Sequence, residues 1–291
     1  MERESLAVRC FRGARRLRFD AQWIKFAGPD WADRIMAAQV TDRLHCKQGR
    51  SIARWTLQAD RQELVVYLKR HYRLSWWRAL LATLWPEGIW SPALQEWAHL
   101  QWAHAQGLPV PKAAAAGEFI GPWGRLQSFL AVEELTGMIP LHQAVGLAAN
   151  RLNAGDFKRW KRGLGLEMAR IARELHRRRW FHKDLYLCHF YIPAVDTAMV
   201  PDWRGRVHVI DLHRLGHHPW VWRHWQIKDL AQFLYSSEID GVSERDRLRF
   251  WRSYLGPTWR LRGGRWLRAC ILAKWQRYRQ HNLRRRARLS A

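Results

Sequence analysis

The sequence contains no CxxC pair. Cys10, Cys46, Cys188 and Cys270 lie far apart, so neither a zinc site nor a disulfide framework is indicated, and a reducing cytosol fits best. It contains no run of about 18 apolar residues, and Arg9, Arg12, Arg15 and Arg16 are not followed by the apolar core of an export signal. We therefore expect a chain that neither spans a membrane nor is exported by that route. Internal repeats and low-complexity linkers are absent as well. Acidic residues are scarce: 25 Asp and Glu stand against 50 Lys and Arg, a formal charge of +25. Such an excess attracts anionic partners, with nucleic acid and anionic lipid both admissible.

The chain is long enough, at 291 residues with 48% hydrophobic content, to bury one or two cores. It carries 20 tryptophans. Many adjoin arginine, as in Trp76-Trp77-Arg78, Trp222-Arg223 and Trp251-Arg252, an arrangement that suits core or rim packing with cation–π contacts and also a membrane interface. Arginine is densest near the C-terminus, at Arg277, Arg279, Arg284, Arg285, Arg286 and Arg288. That run is a solvated helix end, a contact for a membrane or anionic substrate, or, least in favour, a nucleic-acid contact.

Residues 1–38 show no clean periodicity and are expected to form a peripheral, partly helical extension. From there to residue 134 the pattern predicts a small β-rich lobe, with strands at Leu44–Lys47, Ile52–Leu57, Leu64–Leu68, Gly117–Ile120 and Arg125–Val132. Helical pieces fall at Trp76–Trp85 and Pro92–Gln106, the latter ended by Gly107. Residues 135–291 read as mainly α, ending in the basic helix. Asp156–Arg179 has apolar residues at helical spacing with Asp156 as N-cap, Trp225–Tyr235 is a further helix, and Ser243 with Asp246 forms a capping box.

The chemistry concentrates in two segments, His182-Lys183-Asp184-Leu185-Tyr186-Leu187-Cys188-His189 and Ile210-Asp211-Leu212-His213. In phosphoryl transfer one Asp accepts the proton of the attacking hydroxyl, a group a few residues on helps hold metal, and an Asp after a short strand chelates Mg²⁺ on the nucleotide. Asp184, His189 and Asp211 stand in those places, with His189 where protein kinases carry Asn. Imidazole is a poor Mg²⁺ ligand. His189 therefore binds a second metal ion such as Mn²⁺, hydrogen-bonds Asp211 or phosphate, or is a satisfied core histidine. Upstream, Lys69 at a strand end is a phosphate-gripping lysine if Glu96 on the next main helix holds it. The segment Lys47-Gln48-Gly49-Arg50-Ser51 has one glycine, not three; its backbone near Gly49 and Ser51, with the charge of Arg50, cradles phosphate, or it is an ordinary hairpin turn. His213 and Arg214 face substrate phosphate or fix their loop. Asp229 braces the catalytic loop through backbone N–H groups or sits exposed at a helix start.

These motifs resemble the lipopolysaccharide core kinase family, the Kdo and heptose kinases of bacterial envelopes, from about Leu44 to Tyr254. The pattern H-[RK]-D-x-Y-x-C-H-F is matched by His182, Lys183, Asp184, Tyr186, Cys188, His189 and Phe190, and I-D-L-H-R by Ile210 to Arg214. Lys228-Asp229-Leu230, Tyr235-Ser236-Ser237, Tyr67-x-Lys69, Glu96-Trp97 and Glu133-Glu134-Leu135 are similar too. The resemblance implies a two-lobed, protein-kinase-like α+β fold and ATP-dependent phosphorylation of a heptose or Kdo hydroxyl on lipopolysaccharide or a related envelope glycolipid. It further implies Lys69, Asp184, Asp211 and their partners in the kinase roles above, and the backbone of Glu133 and Leu135 gripping adenine. The expected cofactors are ATP and Mg²⁺, or Mn²⁺. A lipid-linked sugar and an anionic membrane surface are the expected partners, at the inner face of the cytoplasmic membrane. A protein or small-molecule kinase is the alternative, and a non-catalytic basic module comes third.

Overall fold

The computed structural model describes residues 5–38, 42–47, 49–123 and 125–289. Gln48, in the expected phosphate loop, and the side chains of Arg284, Arg285, Arg286 and Arg288 lie outside the described residues. The chain divides into two compact units, Met1–Leu135 and Thr136–Ala291.

The first unit runs α1 (Leu6–Phe11), β1 (Ala14–Phe19), α2 (Trp23–Ala27), α3 (Trp31–Arg34), β2 (Asp42–Lys47), β3 (Arg50–Ala59), β4 (Gln62–His71), α4 (Trp76–Leu84), α5 (Pro92–Ala105), β5 (Ala113–Ile120) and β6 (Leu126–Glu133). Its strands form one antiparallel sheet in the order β1-β5-β6-β4-β3-β2. Residues 113–116 of β5, all alanine, are all buried. Such a strand is covered on both faces, which is why it shows no polar alternation.

The stretch read as a peripheral extension is instead part of this core. β1 pairs with β5 along its whole length, from Ala14 opposite Ile120 to Phe19 opposite Ala115. Behind it, Trp23, Trp31 and Ile35 pack with Val66, Leu68 and Phe129 in one buried cluster, and the Trp31 ring meets Trp23 and Phe129 edge-on at 5.7 and 5.5 Å. Burying each such side chain is worth roughly 2–3 kcal/mol plus the ring-pair term. A buried Arg70 ties the segment down, its guanidinium donating to the carbonyls of Ile35, Met36 and Ala38 at 3.2, 3.3 and 2.7 Å.

The second unit runs β7 (Met138–Pro140), α6 (Leu141–Arg151), α7 (Ala154–Arg177), β8 (Trp180–Phe181), β9 (Phe190–Pro193), β10 (His208–Val209), β11 (Gly216–His217), α8 (Trp222–Ser236), α9 (Glu244–Leu255) and α10 (Arg262–Leu289). The N-cap of α7 is Asn153 and not Asp156: the Asn153 Oδ1 accepts the Asp156 N–H at 2.9 Å. Asp156 thereby becomes the acidic residue of the first turn, where the helix dipole favours it. Leu164, Met168, Ile171, Ala172 and Leu175 form the buried face of α7, against which α9 packs. The capping box of Ser243 and Asp246 opens α9.

Two short ladders position the loops. β9 lies between β7 and β10, and β11 pairs with β8, Gly216 opposite Phe181 and His217 opposite Trp180. The loop that follows β8 and the loop between β10 and β11 are thus held side by side.

Candidate active site

In the first unit, the centre of the sheet carries Lys69. Residue 69 lies on β4 between Leu130 of β6 and Ile52 of β3, and its Nζ donates to the buried Glu96 Oε1 of α5 at 2.6 Å. Ser91 caps α5, with Pro92 in the first turn and the Ser91 Oγ accepting the Leu94 N–H. The Glu96 carboxylate is consequently fixed.

The β2–β3 turn is a tight hairpin in which Lys47 pairs with Arg50 and Gly49 takes a positive φ of 76°. Ser51 is buried, and its hydroxyl bonds the Arg70 Nε at 3.2 Å and the Tyr72 hydroxyl at 3.1 Å. Its backbone lies within the sheet, opposite Cys46 of β2 and Arg70 of β4. At the end of β6, the N–H of Glu133 donates to the Lys112 carbonyl and that of Glu134 to the Val65 carbonyl, while among the described residues Leu135 N–H has no backbone partner. The Glu134 carboxylate is gripped by the Arg54 fork at 2.8 and 2.9 Å, with the Tyr67 hydroxyl donating at 3.1 Å. Arg54 chiefly, helped by Tyr67, holds Glu134 below the usual carboxylate range.

In the second unit, Asp229 organises the catalytic-type loop. Fully buried on α8, it accepts the backbone N–H groups of His182 and Lys183, both at 2.8 Å. The bracing reading of Asp229 thus describes its geometry, not the exposed helix start. One face of α8 completes the grip: Lys228 Nζ donates to the Lys183 carbonyl at 2.6 Å, Gln232 Nε2 to the Tyr186 hydroxyl at 3.1 Å, and the Leu187 N–H donates to Ser236 Oγ at 2.8 Å. Lys183 is forced to a φ of 67°, a costly value for a side-chain-bearing residue.

Around Asp184, Arg214 Nη1 reaches both carboxylate oxygens, at 2.9 and 3.2 Å. Gln232 was not singled out from sequence. The signal available was spacing alone: Asp229, Gln232 and Ser236 recur at helical spacing on one face.

His189 Nδ1 lies 2.7 Å from the Asp184 carbonyl. A carbonyl only accepts, so Nδ1 carries a proton, and Nε2 is the nitrogen that faces Asp211, 4.0 Å from its Oδ2. Burial disfavours the imidazolium, but the Cys188 thiol, the Asp184 carbonyl and the Asp211 charge outweigh it and hold His189 above its ordinary value. His182 moves the opposite way, pushed down by complete burial. Lys183 is pushed down by burial and by the charges of Arg214 and Lys228.

Asp211 sits in the left-handed region at φ 63°, ψ 55°, two residues after the end of β10, and its Oδ1 bonds His213 Nδ1 at 2.7 Å. Strain of this kind collects at functional sites. No cluster of three or more metal-type side chains occurs among the described residues. Asp211, with His189 Nε2 4.0 Å from its Oδ2, offers a carboxylate to a divalent ion whose remaining ligands would be phosphate and water oxygens.

A model of the lipopolysaccharide kinase (Kdo/WaaP) family matches residues 41–254. The chain belongs to that family. It is similar to the lipopolysaccharide core heptose(I) kinase WaaP of Pseudomonas aeruginosa, 30% identical over 201 residues, which cover 69% of this chain and 73% of that one. The Escherichia coli K12 protein of the same name is 32% identical over 163 residues, 56% of this chain and 59% of that one. Among solved structures, WaaP in complex with acyl carrier protein matches with a TM-score of 0.66 and 27% identity, covering 90% of this chain and 98% of that one. The fold is accordingly kinase-like. Family membership makes the protein a phosphotransferase acting on a sugar hydroxyl of a lipid-linked glycan, a reaction that uses ATP and a divalent metal ion.

Proposed function

We propose that the protein transfers the terminal phosphoryl group of ATP to a heptose hydroxyl of the lipopolysaccharide inner core while peripherally bound at the cytoplasmic face of the membrane. The observation that carries the site assignment is the constrained pair of loops in which Asp184 and Asp211 stand, one braced by Asp229 and the other strained at Asp211 itself.

In the second unit, Asp184 orients the acceptor hydroxyl and takes its proton. Arg214 holds both Asp184 oxygens, so the base is kept in one rotamer and the acceptor hydroxyl must approach the lone pairs that Arg214 leaves open. Asp211 and His189 would hold Mg²⁺ or Mn²⁺, which when bound neutralises charge on the phosphate oxygens. His189 is oriented for this by the Asp184 carbonyl.

In the first unit, Lys69, kept in place by Glu96, grips nucleotide phosphate. Gly49, Arg50 and Ser51 contribute backbone groups and, at Arg50, charge, while the Glu133 carbonyl and Leu135 N–H grip adenine.

The test is phosphorylation of a phosphate-free heptose acceptor by the purified protein with ATP and Mg²⁺, read by mass spectrometry. Asp184→Asn is expected to lose about 10²-fold or more, the usual worth of a positioned base. An unaffected Asp184→Asn overturns the site, and a wild-type protein that leaves heptose unmodified but phosphorylates Kdo overturns the acceptor.

A further inference from the structure

Helix α4 is apolar on two faces. Its inward residues Ala79 and Ala82 pack with Ile120 and Leu126, and the Thr83 hydroxyl bonds back to the Ala79 carbonyl at 2.8 Å. Its outward side presents Trp76, Trp77, Leu80 and Leu84, 75%, 47%, 46% and 40% exposed. Positions 76, 80 and 84 follow at i, i+4 and i+8, so these side chains form one stripe. Arg78 is the only charged residue of the helix. A surface helix ordinarily turns a polar face to water.

The stripe is extended by its neighbours. Trp85 and Ile89 follow at 60% and 46% exposure. Helix α1 packs on α4, with Arg9 Nε donating to the Thr83 carbonyl at 2.8 Å, and adds Leu6 and Phe11, 47% and 63% exposed. The Phe11 ring meets the 75%-exposed Trp123 edge-on at 5.1 Å. From the areas of such side chains, these groups leave on the order of 1,000 Å² of apolar surface in water, more than the roughly 300–600 Å² typical of the largest patch on a monomer.

The charges beside this surface are mainly positive. Residues 5–13, 72–90 and 119–125 contain Arg9, Arg12, Arg73, Arg78 and Arg125 against the single carboxylate Glu87. The Arg78 guanidinium lies 5.1 Å from the centre of the Trp77 ring.

We propose that α4, with α1 and the turn at Trp123, is the surface by which the protein seats on an anionic phospholipid bilayer. The indoles and aliphatic side chains enter the interface and the arginines meet lipid phosphates. The inference rests on the peripheral-membrane part of the function proposed above and names the surface responsible. Three features select a bilayer over a protein partner: exposed tryptophans are the side chains that favour the water–lipid boundary, arginines with apolar stems reach phosphate from that depth, and the family's acceptor is itself lipid-linked.

The experiment is co-sedimentation of the full chain with vesicles of phosphatidylglycerol and phosphatidylethanolamine, and with neutral phosphatidylcholine vesicles as control. Wild-type protein is expected to bind the anionic vesicles, more weakly as salt rises. The Trp76→Ser/Trp77→Ser/Trp85→Ser variant is expected to bind at least tenfold less, while keeping wild-type turnover on a delipidated acceptor. Arg73→Glu/Arg78→Glu, which leaves the apolar packing intact, is expected to lose binding as well. Wild-type binding that both variants retain places the contact elsewhere and overturns the surface assignment while leaving the peripheral reading standing. Absence of wild-type binding to any vesicle overturns both. Variants that keep vesicle binding but lose retention on immobilised acyl carrier protein make the patch a protein interface and overturn the proposal.

Discussion

Asp229→Asn removes one negative charge and one acceptor from the interior of the second unit without changing side-chain size. The wild-type carboxylate receives two N–H groups, from His182 and Lys183, each at 2.8 Å, and lies 3.4 Å from His176 Nε2. Hydrogen bonds to a charged group contribute about 1.5–3 kcal/mol each, and neutral ones about 1. An asparagine keeps one N–H on its oxygen as a neutral bond, losing about 1 kcal/mol. It turns its NH₂ toward the other N–H, losing that bond and stranding a buried donor at a cost of about 2–3 kcal/mol more. Relief from desolvating a buried carboxylate returns part of this. The expected net loss is about 2–4 kcal/mol. With a urea m-value of about 2 kcal/mol/M for a unit of this size, the midpoint falls by about 1–2 M. The assay is urea denaturation with amide hydrogen exchange read at His182 and Lys183, whose protection should fall first. A midpoint within 0.3 M of wild type (about 0.6 kcal/mol at that m-value), with unchanged exchange at the two amides, refutes the idea that Asp229 holds the loop.

Two further outcomes follow from the same geometry. His189→Asn should retain more phosphotransfer activity than His189→Ala, because an amide restores a polar atom beside Asp211 and the methyl does not; the reverse order in a turnover assay removes His189 from metal or phosphate contact. Asp246 gives a pH dependence. Burial alone would raise its carboxyl, but Lys161 at 2.8 Å and Ser243 hold it below the ordinary 3.8, so its stabilisation is complete above that value and disappears as pH falls through the lower folded-state value. Asp246→Asn should therefore cost about 1 kcal/mol at neutral pH and progressively less as pH falls below 3.8; a deficit in thermal melts that does not shrink with falling pH contradicts the assignment.

What could be read in the sequence was local. The order His182, Lys183, Asp184, His189 and then Asp211 names the chemistry because each group must lie a few residues from the next on one loop or just after one strand, and such spacing is visible along a chain. The long apolar face of α7 and the Ser243–Asp246 box were legible for the same reason, since both repeat within one or two turns.

Tertiary structure decided what depends on partners distant in sequence. Residues 5–38 carry arginines that hide their periodicity, yet Trp23 and Trp31 are core because β1 finds its partner strand β5 some 100 residues on. Likewise the Ser51 hydroxyl, a group whose partner the sequence does not show, is engaged by Arg70 across the β3–β4 pair. His189 offered three readings as a residue type, and only the Asp184 carbonyl, by claiming Nδ1, determines which nitrogen faces Asp211. Sequence specifies which groups are present and their local spacing; which of their lone pairs and protons are already engaged is decided by the packing of β10, β11 and α8 around them, because a hydrogen bond needs a partner within about 3 Å and nothing in linear order supplies that distance.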